Sequence, residues 1–343
     1  MEHPPRRLVD VAKMAEAAGV DSVWVSEDPF HWDALAILGA LALGTTRIRL
    51  GPGITSPYVR PPHLQAMSMT TLDKLSGGRA FWATGRGLTQ WYQRLLSMDT
   101  GDPVSVMEES IGLLRQWWEE PYEATSHGDF FQVAGLRREV GGAQAYLPIY
   151  LAAVGPRMVQ LAARLADGLV FSWPSFEYLE RTIKMVKEEI LVSGRNTDNF
   201  AFVVQTGLKV TMDRERALEE FKDQMAVIHT LPGLENALIS LEYDVPKIIH
   251  ALRKAMKAKE ILAKGGWMRE FRQSADFAAA RSAIPTGLVE EVAIVGEASQ
   301  IRSRLACYQA LGVTHIFVPP PQEQTSNEYR NLLSSINPSP KDI

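Results

Sequence analysis

Cysteine is almost absent from this chain of 343 residues, with one copy, Cys307. That excludes an internal disulfide framework and suits a reducing compartment. Cys307 falls in the apolar pattern Ile301, Leu305, Tyr308 and Leu311, so it is expected to be a small buried core residue. The 7 histidines show no His-x-x-x-His, and there is no Cys-x-x-Cys; no metal site is expected. No apolar run approaches the roughly 18 residues of a membrane span. Met1-Glu2-His3-Pro4-Pro5 leads straight into an amphipathic helix, with no secretory leader. These absences point to the cytoplasm and away from membranes. Lys and Arg number 36 against 40 Asp and Glu, for a net charge of −4, and are scattered rather than gathered in a tract. Nucleic acid is therefore not an expected partner. Gly-x-Gly-x-x-Gly, a phosphate loop ending in Gly-Lys-Ser/Thr, and Gly-x-Ser-x-Gly are all missing. Rossmann, P-loop and serine-hydrolase sites lose their support with them. There are no repeats or low-complexity segments.

What is present is 46% hydrophobic content, enough for one large core or two modest ones. Helical patterns over Leu8–Ala18, about Asp33–Leu43 and His63–Leu75 alternate with short apolar strands. The strands are Asp21–Ser26, Ile48–Gly53, Arg79–Gly85, Pro148–Ala153, Gly168–Trp173, Phe202–Val210 and Thr314–Val318. Continuous apolar strands alternating with helices indicate a parallel sheet covered by helices. Residues 230–285 break the alternation with helical runs such as Val245–Ala263, whose Lys and Arg side is read as a solvated helical cover. The tail 337–343, with Pro338 and Pro340, is expected to be disordered.

The most informative stretch runs from Leu50 through Gly51-Pro52-Gly53-Ile54-Thr55-Ser56-Pro57 to Pro61. Glycine removes the Cβ where another group must come close, and proline fixes φ and removes a donor. A strand ending this way is built for an unusual backbone rather than for packing. It resembles the strand-end bulge of the bacterial luciferase-like superfamily, and within it the methylenetetrahydromethanopterin reductase branch, which uses the deazaflavin coenzyme F420. The resemblance implies a non-proline cis peptide at Gly53-Ile54, backing the deazaflavin ring, with Thr55 and Ser56 beside it.

A second element, Leu151-Ala152-Ala153-Val154-Gly155-Pro156-Arg157-Met158, ends a strand, turns at Gly155 and puts Pro156 at the first helical position. The free N–H groups of such a helix start suit an anion, although an ordinary βα turn has the same pattern. By resemblance Val154, Gly155, Arg157 and Met158 hold the coenzyme's phosphate-bearing tail. Leu72–Arg79, containing Ser76-Gly77-Gly78, is a helix end and turn that also matches the family.

Two further strand ends carry candidate groups. Gly85-Arg86-Gly87 ends its strand where family members often have an acid next; this chain has Leu88. Arg86 and Gly87 are candidates to touch the coenzyme, Arg86 through a phosphate or a substrate carboxylate; an exposed loop arginine is the plainer alternative. Leu88 removes the proton donor of the F420-dependent glucose-6-phosphate dehydrogenase branch. Glu27-Asp28 follows Val23–Ser26, where the family commonly shows Asp-His; here His31 lies three residues on. Burial beside an apolar ring disfavours a charged carboxylate and fits it to serve as acid or hydrogen-bond donor. Helix N-terminal acids stabilised by the dipole are the alternative.

The resemblance implies a TIM-type (β/α)8 barrel of the luciferase-like kind over residues 1–336, with a helical insertion at about 230–285 and usually a homodimer. Seven strands are visible where the family has eight. The family's first strand precedes the helix that starts here near Arg6, so the chain begins after it; the pairing hazard of an open edge favours a late start over a true variant. The reductase branch's glutamate at the end of that strand is not in this sequence. The implied activity is hydride transfer between F420 and a small organic substrate. An FMN-dependent monooxygenase and a non-catalytic flavin-binding relative are the alternatives.

Overall fold

A computed structural model describes residues 4–28, 30–318 and 326–336. In chain order its strands are β1 (Ser22–Val25), β2 (Arg49–Pro52), β3 (Trp82–Gly85), β4 (Glu123–His127), β5 (Gln132–Arg137), β6 (Ile149–Ala152), β7 (Gly168–Ser172), β8 (Ala201–Gln205), β9 (Leu208–Val210), β10 (Ile294–Gly296) and β11 (His315–Ile316). Strands β11-β8-β7-β6-β3 form one parallel sheet, and β1-β2 pair in parallel beside it. Backbone bonds from Leu50 to Arg79 and from Phe81 to Leu50 join β2 to β3. Helices follow the strands, giving a parallel α/β barrel of seven strands among the described residues.

The two edges of this array face each other. The Trp24 and Phe317 rings lie 5.2 Å apart, and His315 Nε2 is 3.7 Å from Asp21. Side chains of β1 and the end of β11 thus close the barrel where no strand pairs them among the described residues. The interior is filled by Phe81, Ala83, Tyr150, Val170, Ala201 and Val203, with Trp24, Ile54, Ala152 and Phe317 packed on them. Trp24 lies over both Phe81 and Tyr150, at 4.5 and 5.6 Å.

Local chemistry explains the element ends. Pro5 and Pro62 occupy first helical positions, where a missing N–H costs nothing, and Gly19 and Gly77 take the left-handed C-cap. Asp33 caps Ala34–Gly44 by accepting from the Ala36 amide at 2.8 Å. Polar hubs tie the N-terminal ends of the strands. Glu16 accepts from the amides of Thr46, Arg47 and Ile48, Arg79 donates to the carbonyls of Ala42, Thr45, Ile48 and Ser76, and Asp167 accepts from Arg115, Tyr146 and the Ile149 amide.

Four expectations change. Phe202–Val210 is two strands: Thr206 donates to the Val292 carbonyl at 2.7 Å, and the chain leaves the barrel so that β9 pairs with β10. A Cβ at Gly207 falls 2.8 Å from the Phe221 ring, so the break needs glycine. The run Val245–Ala263 is two helices, Val245–Ala255 and Ala258–Ala263, separated by Lys257 at φ 50. The antiparallel hairpin β4-β5 is additional; its residues are mostly exposed, so it lacks an apolar alternation. Cys307 is exposed, because Ala298–Leu311 buries Ile301 and Tyr308 and turns position 307 outward. The helices from Val245 to Val292 lie between β9 and β10. The expected disordered tail, 337–343, lies outside the described residues. No described helix is long and apolar enough to cross a membrane.

Candidate functional site

Every candidate site residue from the sequence stands after the C-terminal end of a barrel strand: 27–28 after β1, 53–56 after β2, 86–87 after β3 and 154–158 after β6. In α/β barrels that rim is where ligands meet loops from several strands.

The Gly53-Ile54 peptide is cis. The bulge is sewn to both neighbours: Gly53 donates to the Val25 carbonyl, Thr55 to Ala83, and Gly85 to Thr55, while the Ile54 carbonyl accepts from Glu27. Thr55 and Ser56 are buried. Ile54 faces inward, because a Cβ at Gly85 would meet its Cδ1 at 2.4 Å. Ile54 and Ala152, both half-buried, are an apolar floor at the mouth. A Cβ added at Gly53 would fall 2.6 Å from Trp24 Cβ, so the bare backbone there admits the tryptophan of β1.

Glu27 is nearly buried, its side chain 9% exposed, and has two partners. Arg60 Nε donates to Oε1 at 2.7 Å, and the Thr55 hydroxyl donates to Oε2. Arg60 also donates to Asp33, whose carboxyl stays below its ordinary value: burial opposes this, but the Ala36 amide and the Arg60 guanidinium outweigh it. Glu27 therefore anchors the bulge as much as it faces the rim. Asp28 is more open. It accepts from the Phe30 amide at 3.0 Å and lies 2.8 Å from His31 Nδ1 through both oxygens. The adjacent Asp-His of the family is absent from the sequence, but the turn brings an Asp and a His together. The carboxylate favours the proton on Nδ1, which leaves Nε2 for a ligand. His31 and Phe30 border a cleft of 800 Å³ whose far wall is Lys257–Ser274, including Trp267.

Among the described residues nothing lies within 4 Å of a Cβ added at Gly155, and no side chain caps the helix Pro156–Leu165. The amides of Arg157 and Met158 have no intrahelical acceptor there, so an anion has room and donors. The side chains do something else. Met158 is buried in the core, Val154 packs against that core while its carbonyl accepts from Tyr178 at 2.6 Å, and Arg157 pairs with Asp102 at 2.9 Å on the surface. The Arg157 guanidinium holds the Asp102 carboxyl below its ordinary value. Arg86 donates to the Pro232 carbonyl, tying the β3 end to the inserted helices rather than standing free. Gly87, at φ 62, sits against the Tyr92 phenol.

Sequence reasoning missed Arg60 and Tyr92. Tyr92 is buried close to Ser56 and has its phenol pushed up, mainly by burial; it stays a neutral donor beside Glu27 and Asp28. Arg60 lies at the end of the Leu50–Pro61 stretch and Tyr92 in no motif, and only the chain's return to the rim brings their side chains to Glu27 and Ser56.

The geometry can be set beside known proteins. A family model described as luciferase-like monooxygenase matches residues 1–315. The 5,10-methylenetetrahydromethanopterin reductase of Archaeoglobus fulgidus is 29% identical over 256 residues, 74% of this chain and 74% of that protein. The structure of the coenzyme F420-dependent tetrahydromethanopterin reductase of Methanopyrus kandleri superposes with a TM-score of 0.77 at 22% identity, covering 97% of this chain and 94% of that one. Monooxygenase RslO1 of Streptomyces bottropensis gives 0.67 at 18%, covering 96% and 91%. The rim, the bulge and these matches agree: the chain belongs to the luciferase-like monooxygenase family and is an oxidoreductase of that family.

Proposed function

We propose that this protein transfers a hydride between coenzyme F420 and a small organic substrate, in the manner of the methylenetetrahydromethanopterin reductases. The observation that carries the proposal is the pairing of an apolar floor, Ile54 and Ala152, with an open, uncapped helix start at Gly155 on the same rim. A flat ring fits the first and an anionic tail the second, so the residues present suit the group. An F420-dependent glucose-6-phosphate dehydrogenase of Mycobacterium avium, 30% identical over 241 residues, supports the deazaflavin over FMN.

When bound, the reduced deazaflavin supplies the hydride. The chain's contribution is positioning and proton control. Glu27, fixed by Thr55 and Arg60, keeps the bulge backbone in register with β1. Ser56, Tyr92, Gly87 and Arg86 form the β2–β3 side of the rim. The Asp28–His31 pair holds a proton at Nδ1 and offers Nε2 to a substrate heteroatom in the adjoining cleft. The amides of Arg157 and Met158 take the coenzyme's phosphate. We place the enzyme in the cytoplasm as a homodimer, over a single domain, residues 1–336, that includes the helical insertion.

Spectral titration of the purified protein with F420 and with FMN tests this. F420 is expected to bind at least about tenfold more tightly, a difference near 1.4 kcal/mol. FMN bound as tightly as F420 would instead favour the monooxygenase alternative, which the family match and RslO1 keep in view.

A further inference from the structure

The helix Thr89–Leu95 and the inserted helices Val245–Ala255 and Ala258–Ala263 border an open groove of 610 Å³. Its lining includes Arg94, His250, Arg253, Lys254 and Lys259, and no carboxylate among the described residues. Arg253 is committed to Glu235 at 2.8 Å. Arg94, Lys254 and Lys259 have no ion-pair partner among the described residues. A second hollow of 490 Å³ along the same helices shares Arg253, Lys254 and Lys259 and adds Lys257, with Glu260 its one carboxylate.

This concentration of positive charge stands in a chain of net charge −4, so it is not the by-product of a basic protein. Like charges this close repel, and a bound anion is what offsets them. The same wall contains Thr230, fully buried, whose hydroxyl has no hydrogen-bond partner among the described residues. Pro232, also in the wall, accepts from Arg86 at the end of β3. The groove is therefore one hydrogen bond from the rim. The sequence suggests only a solvated helical cover for these lysines; the grooved shape and the lack of carboxylates among its described lining residues say more.

We propose that the groove binds a chain of several anionic groups, carboxylates or phosphates, belonging to a ligand whose reacting part lies at the rim. This deepens the hydride-transfer reading and rests on it for the position of the reacting part. The source is either the coenzyme's tail or an anionic arm of the substrate.

The test compares wild type with Lys254→Gln/Lys259→Gln, both exposed positions, by isothermal titration with tripolyphosphate, with intact F420, and with the tail-less deazaflavin fragment. Melting temperature and circular dichroism check that the variant folds. Tripolyphosphate is expected to bind wild type and to weaken by about tenfold or more in the variant, with the difference shrinking as salt rises. A matching loss for intact F420, with the fragment unchanged, assigns the groove to the coenzyme tail. Unchanged F420 together with the tripolyphosphate loss assigns it to the substrate. Equal tripolyphosphate binding by both proteins, or none by wild type, overturns the proposal. If the fragment and F420 bind neither protein while the tripolyphosphate loss persists, the deazaflavin reading fails and the anion groove stands.

Discussion

Arg60 and Glu27, 33 positions apart in the chain, meet at 2.7 Å beneath the rim with both side chains almost out of water. The contact locks the loop after β1 to the loop after β2. Removing one partner of a buried pair leaves the other charge uncompensated. Arg60→Met is therefore expected to lower unfolding stability by about 3 kcal/mol. Glu27→Gln/Arg60→Met should recover part of that loss, because no bare carboxylate remains. Chemical denaturation of the three proteins decides it; a double variant less stable than Arg60→Met would show that the pair's charge is not what matters.

At Gly53 an added Cβ would clash with Trp24. Gly53→Ala should cost about 1–3 kcal/mol through overpacking, seen as a lower melting temperature of the protein without coenzyme. Trp24→Leu should relieve part of it by making room. A Gly53→Ala protein that melts normally yet loses coenzyme would return this glycine to the ring.

Arg157 and Asp102 form an exposed pair, which contributes little to stability. Arg157→Ala is expected to shift the melting temperature hardly at all and to weaken F420 by less than about threefold, since the helix amides remain. A loss of about tenfold or more for F420, with the tail-less fragment unaffected, would show that the guanidinium leaves Asp102 to read the tail.

His229 is fully buried, its Nε2 without a partner among the described residues, and burial depresses its pKa from 6.5 to about 4. The folded state thus binds the proton less readily than the unfolded state. Stability from this residue is complete above about pH 6.5 and falls as the pH drops toward 4, by up to about 3 kcal/mol. His229→Leu should flatten that part of the stability-against-pH curve, measured by urea denaturation between those limits. A wild-type curve flat over that range would refute it.

The Asp28–His31 pair makes a kinetic prediction. His31→Gln should lower kcat by about tenfold or more while leaving F420 binding unchanged, and should alter the pH profile of kcat. An unaltered profile would reduce the pair to a loop brace.

The rim was legible because glycine and proline mark strand ends in sequence: Gly53, Gly85 and Gly155 all fall where strands stop. The barrel was legible because its strands are continuous apolar runs. What stayed hidden depends on distant chain segments meeting. Arg60 reaching back to Glu27, Tyr92 reaching Ser56, and Trp24 filling the space above Gly53 leave no local pattern. The hairpin β4-β5 was hidden for the opposite reason, since an exposed polar ribbon has no apolar signature. Cys307 shows how one residue's offset on a helix reverses burial.

The hydrogen-bond hubs at Glu16, Arg79 and Asp167 sit at the end of the barrel opposite the rim. Fastening and chemistry thus occupy opposite ends of the same strands. The loops that meet the substrate can exchange residues without loosening those fasteners, so new specificities are reachable by small steps. A library confined to residues 30–32 and 266–269 should yield a high fraction of folded proteins with altered substrate choice, whereas the same mutational load at the hubs should yield mostly insoluble chain.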